Sequence, residues 1–369
     1  MVLDRTGDRP LLLCDLIARH QAFRAHPEKL GLPRGAGEHP AIREQLDLAA
    51  AIAGLIACGP RFVLGDDVIA AGVQALMSRP RSLRDCTSVL RVPWPVAFIE
   101  WHEPTRIAAR RALGVARDNG QDIAVRCGVV VEADDAGRTG TARLCWSHRE
   151  ESMGGAEILN VSPIWFFFDF GILGTPFRQG DSIISQEQRR ESDLFQKWAR
   201  SPDDIEALVD MNRAFGQDGF GDAMRLATEQ AKGSPSPEAA IQAMYENMLS
   251  DVAGEALSLV AILILMTSRN GTEAAPGEDR GKLNRARAKR GEAPLQDHVV
   301  VHMRLGRAAK QAPRPSSSDG HSGRASPRLH MVCGHPLPRG DAIYWRRAHA
   351  RGLASGRAAA DTRTVHVGL

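Results

Sequence analysis

Between Ser236 and Gly271 the sequence describes one long helix, and half of that helix has no polar side. Ser236-Pro-Glu places a capping hydroxyl, a first-turn proline and an acid at its start. Ile241, Met244, Tyr245, Met248, Val252, Leu259 and Leu263 recur at helical spacing, and Asn270-Gly271 ends the run. About 33 residues at ~1.5 Å each make a rod of roughly 50 Å. Ala256–Met266 is apolar apart from Ser258, so this half belongs inside a core. It falls short of the ~20 apolar residues that a bilayer span needs. The rest of the chain has to be laid around this rod.

The remaining segments supply a sheet and more helices. Leu11–Arg24 and Ile42–Ala57 carry helical apolar spacing on either side of the Gly/Pro-rich stretch Gly31–Pro40, and Asp67–Met77 is a third helix candidate. Val96–Trp101 reads as a strand. Valine-rich Ile123–Glu132 and Thr139–Trp146, joined through Asp134-Asp-Ala-Gly137, read as a hairpin. Glu157–Phe170 is a further strand, aromatic enough to be buried on both faces. Ser201-Pro-Asp-Asp opens another helix. Thr272–Arg280 reads as a linker, Lys282–Arg290 as a basic helix and His298–Met303 as a strand. Gln311–Pro327 is a Ser/Gly/Pro-rich loop, and Leu329–Cys333 with Ile343–Ala348 forms a hairpin around Pro336–Asp341. The expected class is α+β: N-terminal helices, a central antiparallel or mixed sheet, the long buried helix, then a basic helix plus hairpin. The expected division is a body of residues 1–271 and a C-terminal module of residues 272–369, which either stands apart or packs on the same sheet.

Composition sharpens that division. The net charge is only +3, but the 90 residues from Arg280 onward hold 18 Lys+Arg against 5 Asp+Glu, while the part before holds 29 against 39. An acidic body carries a basic end. Hydrophobic residues at 43% and charged residues at 25% exclude wholesale disorder. The N-terminus lacks a basic segment followed by an apolar one, and neither Ala256–Met266 nor Ile164–Phe168 is long enough to span a membrane. A cytoplasmic protein with no membrane partner is therefore expected. The six cysteines are scattered without a C-x-x-C, which suggests reduced, mostly buried thiols. Phosphate-loop patterns fail: Gly277–Leu283 is one residue short and lacks the Ser/Thr after its lysine.

Two groups of residues carry chemistry. Lys282, Arg285, Arg287, Lys289 and Arg290 crowd five positive charges into nine residues, a density that binds phosphate backbones by releasing counterions. The excess continues through Arg304, Arg307, Lys310, Arg314, Arg324, Arg328, Arg346, Arg347 and Arg351. Seven of the 12 histidines lie in the last 72 residues: His298, His302, His321, His330, His335, His349 and His366. Of these, His298 and His302 share one side of a strand, and His330, His335 and His349 can join them in a polar, metal or acid–base site; their spacing matches no zinc pattern, and the cofactor is left open. His102-Glu103 and His148-Arg-Glu-Glu151 are further seeds for a hydrolytic site, and Asp134-Asp135 for a cation, against plain readings as strand ends and a turn.

Lys282-Leu-Asn-Arg-Ala-Arg-Ala-Lys-Arg-Gly-Glu-Ala-Pro-Leu295 fits the pattern LN-x-x-R-x-x-x-G-x-x-P. It is followed by His330-Met-Val-Cys-Gly-His335 and His349-Ala-Arg-Gly352. Over roughly residues 255–352 these pieces resemble a family of uncharacterised bacterial and phage- or prophage-encoded proteins, with Met331 and Cys333 departing from its hairpin pattern. The resemblance implies a phage or mobile-element origin and carries no activity with it. The leading expectation is a non-enzymatic accessory protein that binds nucleic acid or another polyanion. Lys282, Arg285, Arg287, Lys289 and Arg290 would contact phosphates, with Arg346, Arg347 and Arg351. The alternatives are a metal- or histidine-dependent hydrolase or nuclease-like enzyme, and an adaptor for a host or phage protein.

Overall fold

A computed structural model describes residues 11–30, 40–114, 124–150, 156–173, 199, 201–218, 228, 231, 235–304, 330–332, 334–347 and 349–351. The 311–327 loop, Cys333, His321, His366, Glu151, Arg307, Lys310, Arg314, Arg324 and Arg328 lie outside the described residues. The fold is α+β, built on a mixed eight-stranded sheet. In chain order it runs α1 (Leu13–Ala22), α2 (Pro40–Ile56), β1 (Arg61–Leu64), α3 (Asp66–Ser78), α4 (Pro80–Thr87), β2 (Val96–His102) and α5 (Glu103–Ala112). Then come β3 (Ala124–Ala133), β4 (Thr139–Glu150), β5 (Ala156–Asp169), α6 (Pro202–Arg213), β6 (Phe215–Asp218) and α7 (Pro237–Thr267). The chain continues with β7 (Thr272–Pro276), α8 (Gly281–Lys289), β8 (Val299–Met303), β9 (His330–Val332), β10 (His335–Arg339), β11 (Ala342–Arg346) and β12 (His349–Arg351).

Across the large sheet the strands stand in the order β6-β5-β4-β3-β2-β1-β8-β7. From β2 to β6 every neighbour is antiparallel, whereas β1 is parallel to both β2 and β8. Alternation of side chains then assigns the two faces. Phe98, Val130, Leu159 and Val161 meet α1 and α2 on one face. Ile99, Val129, Val131, Phe166 and Phe168 meet the larger core on the other, which includes α3, α4, α6 and α7. The rod expected from the sequence is there: Ala256, Leu257 and all the residues from Leu259 to Leu265 are buried. Ser201 caps α6 by accepting a hydrogen bond from the Asp204 N–H.

Three expectations are corrected. Thr272–Pro276 is not linker but the edge strand β7, paired antiparallel with β8. The C-terminal hairpin is a nested pair of ribbons: β10 pairs with β11, and β9 with β12. Pro336 and Pro338 sit within β10, which a two-stranded ribbon tolerates because each strand is also an edge. The aromatic strand β5 is not buried on both faces. Phe166 and Phe168 are, but Phe167 is 42% exposed and Trp165 half-buried, because α1 and α2 cover only the Leu159–Val161 end.

Buried charges fasten the layers. On the α1 face Glu100 is fully buried, accepts from the Cys14 N–H (2.8 Å) in the first turn of α1, and pairs with Arg126 of β3 (2.9 Å). On the other face Arg106 of α5 gives Nε and Nη2 to Glu103 Oε1 (2.9 and 2.7 Å) and Nη1 to Glu255 of α7. Its guanidinium lies 5.5 Å over the Trp101 ring, and the Trp101 Nε1–H donates to the other Glu103 oxygen (2.9 Å). Burial works against charge in this group. Even so, Arg106 holds the Glu255 carboxyl below its usual range, and the two carboxylates keep Arg106 charged.

The end of α1 carries a pH-sensitive residue. His20 Nδ1 lies 2.8 Å from the Leu16 carbonyl and so donates to it, and burial pushes the imidazole down to about 4 from 6.5. The unfolded chain therefore takes up this proton at a higher pH than the folded one. The associated stability is complete above pH 6.5 and is lost as pH falls towards 4, by up to about 3 kcal/mol. Urea midpoints at pH 7.5 and 4.5 should fall further apart in the wild type than in His20→Gln. Equal separations would remove His20 as the cause.

Candidate functional site

The basic helix α8 belongs to a closed clip. Asn284 pairs with Leu295 through both amide atoms, donating to its carbonyl (2.9 Å) and accepting its N–H (2.8 Å). Arg287 is 5% exposed; its Nε donates to the Ala293 carbonyl (2.8 Å) and its Nη1 pairs with Glu292 (3.1 Å). Gly291 turns the chain at φ +68°, where a side chain would be strained. The fixed Asn, Arg and Gly of the LN-x-x-R-x-x-x-G-x-x-P pattern thus fold the clip. Arg287, expected among the phosphate contacts, faces inward instead.

Asp15 of α1 anchors the clip at both ends. Its Oδ2 accepts from Arg280 (2.7 Å), just before α8, and its Oδ1 from the Gln296 N–H (2.6 Å). Asp15 is buried, so part of the basic end is neutralised by the acidic body. Arg290 is spent within the clip on Glu292 (2.6 Å). Lys282, Arg285 and Lys289 remain exposed. Steps of three and four residues put them on one helical face, as a row of roughly 10 Å.

The second expected group stands elsewhere. Arg346 and Arg347 are exposed at the end of β11. That ribbon is sewn to the end of α7: Asn270 donates to the Trp345 carbonyl (3.0 Å) and accepts its N–H (2.8 Å), and β10 packs on α4. Both helices lie on the face opposite α1. The structure therefore separates Arg346 and Arg347 from the α8 row rather than completing it. Arg351 faces His330 in the outer ribbon, and His349 faces Val332; the side chains of these residues lie outside the described ones. His335 stands opposite Arg346 in the inner ribbon.

Of the acidic seeds, Asp134 is a turn residue. It accepts from Thr139 Oγ1 (2.8 Å) and the Arg138 N–H (2.9 Å), and the hydrogen bond from Thr139 leads the causes that lower its pKa. His148 Nδ1 lies 2.7 Å from Asn160 Nδ2 across β4 and β5. Among the described residues no three His, Cys, Asp or Glu side chains are grouped to hold a metal ion.

His102 is the seed with the most organised surroundings. It ends β2, with Nδ1 3.0 Å from Thr105 Oγ1, and the Thr105 hydroxyl donates to Asp66 Oδ1 (2.7 Å) at the start of α3. On the other side of β1, His302 Nδ1 lies 3.5 Å from Asp67 Oδ1, while Asp67 Oδ2 accepts the Met303 N–H (2.9 Å). Sequence reasoning picked out His102 and, separately, His302, but missed Asp66, Asp67 and Thr105. The parallel pairing of β1 with β2 brings Asp66 to Thr105 and His102, and its parallel pairing with β8 brings Asp67 to His302.

No helix among the described residues is long and apolar enough to cross a membrane. No protein family, no curated protein and no solved structure matches the chain, so the function has to be read from these residues.

Proposed function

We propose that this chain binds a polyanion, nucleic acid in the first place, through the α8 row of Lys282, Arg285 and Lys289. The observation that carries the reading is that three exposed cations share one face of a helix whose inward side is fixed by Asn284, Arg287 and Asp15. A row held in place meets successive phosphates without first ordering a loop, and it needs no base contacts. The resemblance of the clip to phage- and prophage-encoded proteins supports a role as a cytoplasmic accessory protein of mobile-element origin. Arg346 and Arg347 provide a second, separate basic surface.

Retention on duplex and single-stranded oligonucleotides at ~50 mM salt tests this, with Lys282→Glu/Arg285→Glu/Lys289→Glu as the comparison. The wild type should bind with an affinity that falls linearly in log–log against salt. The variant should bind much more weakly, with a slope shallower by about 2 to 3. Equal binding by the two proteins would refute the α8 interface.

A further inference from the structure

Three parallel strands end in one row. The register Val63↔Glu100 and Leu64↔Val301 brings His102, Gly65 and His302 level, on β2, after β1 and on β8. Neighbours in such a row project to the same face at ~4.8 Å spacing, so the two histidine backbones stand roughly 10 Å apart. The residue between them has no side chain. A Cβ at Gly65 would come within 2.6 Å of both His302 Nδ1 and Asp67 Oδ1, so any larger residue there would push these two side chains aside. The row lies at the carboxyl ends of the parallel strands, where the strand order turns back around β1. Open α/β sheets place their ligand crevices at such points.

The hydrogen bonds define the state of His102. Thr105 gives its proton to Asp66, so its oxygen receives the proton on His102 Nδ1. The lone pair is then on Nε2, which has no partner among the described residues. Burial lowers the His102 pKa. Of the charged groups facing it, Asp66 on α3 and Glu103 on α5 oppose that, and Arg126 on β3 reinforces it. The imidazole is neutral and oriented, as a general base has to be.

We propose that His102 is the general base of a hydrolytic site for neutral carboxylic esters, with Thr105 and Asp66 as positioning residues. Among the described residues no Ser or Cys is hydrogen-bonded to Nε2, so water is taken as the attacking group. Nε2 takes a proton from water as its oxygen bonds to the ester carbonyl carbon. The tetrahedral intermediate then expels the alkoxide, which takes the proton back from the imidazolium, and acid and alcohol leave. Asp66 and Asp67 flank the row with negative charge, which selects neutral esters over phosphoesters. At the start of α3 the Val68 and Ile69 N–H groups are taken by the Gly65 carbonyl and Asp67, which leaves those of Asp66 and Asp67 beside the row for the oxyanion.

The test uses the full chain, with p-nitrophenyl acetate and p-nitrophenyl phosphate as probes. Acetate hydrolysis should exceed that of His102→Gln by about 10²-fold, with little phosphate hydrolysis. Its rate should rise with pH to a plateau, with a midpoint below 6.5. Thr105→Val should lower kcat and shift that midpoint, and Thr105→Ser should restore both. Added duplex oligonucleotide should leave the hydrolysis unchanged, which separates this site from the polyanion interface. Equal rates in the wild type and His102→Gln, or preference for the phosphate, would overturn the proposal. Nitrogen-15 NMR of the wild-type histidines gives a check that needs no variant: His102 should carry its proton on Nδ1 at pH 7, and an Nε2–H form would overturn it equally.

Discussion

Arg106→Ala should lower the unfolding free energy by about 3–5 kcal/mol, a large part of what a domain has to lose. The variant leaves Glu103 and Glu255 facing the same buried space without the guanidinium that binds both, with Arg110, one turn further along α5, left to oppose their charge. Trp101 also loses the guanidinium over its ring. Because Arg106 ties α5 to α7, beside the bond from Arg110 to Ser258, the loss should appear as a lower urea midpoint for the whole chain. Arg106→Lys should recover only part, since an ammonium cannot give Nε and Nη2 to one carboxylate and Nη1 to another. Acidification should help Arg106→Ala more than the wild type, because protonation removes the repulsion that the substitution exposes. A loss below about 1 kcal/mol would mean that water reaches these carboxylates and that the cluster is not a dry fastening.

Glu100→Ala should cost a similar amount, about 3–5 kcal/mol, on the other face of the sheet. It leaves the buried Arg126 guanidinium without its ion-pair partner and removes the acceptor for the Cys14 N–H at the start of α1. Glu100→Gln should cost less, because the amide oxygen still accepts from Cys14. The double variant Glu100→Leu/Arg126→Met should lie closer to the wild type than Glu100→Ala does, since no charge is left unpaired. Denaturant midpoints of the set decide this. If the double variant were the least stable, shape rather than charge would govern the site.

How much of this was legible in the sequence depended on where the information lies. The α7 rod, the β3–β4 hairpin and the Ser201 cap are written in neighbouring residues and read correctly. Arg61-Phe-Val-Leu64 is too short to show a period; it is a strand because Phe62 sits between Ile99 and Val299. Thr272–Pro276 lacks β-branched residues beyond its first and ends in proline, so it looks like linker until β8 lies beside it. In the site, the density of positive charge was visible, but its direction was not. Arg285 and Arg287 look alike in sequence and face opposite ways, and only the helical phase set by Asn284 and Ala293 separates them. The Asp66–Thr105–His102 chain draws on two helix starts and a strand end, so no local pattern announces it.

The position of β8 also governs how the chain can be made. Contacts such as the bond from the Met303 N–H to Asp67 span 236 positions, so the middle of the sheet closes late. Until Val299–Met303 has been synthesised, β1 presents a bare edge of unpaired N–H and C=O groups. A nascent or truncated chain ending at residue 271 carries that exposed edge with it, and the cell has to shield it from other strands until the ribosome supplies the missing neighbour.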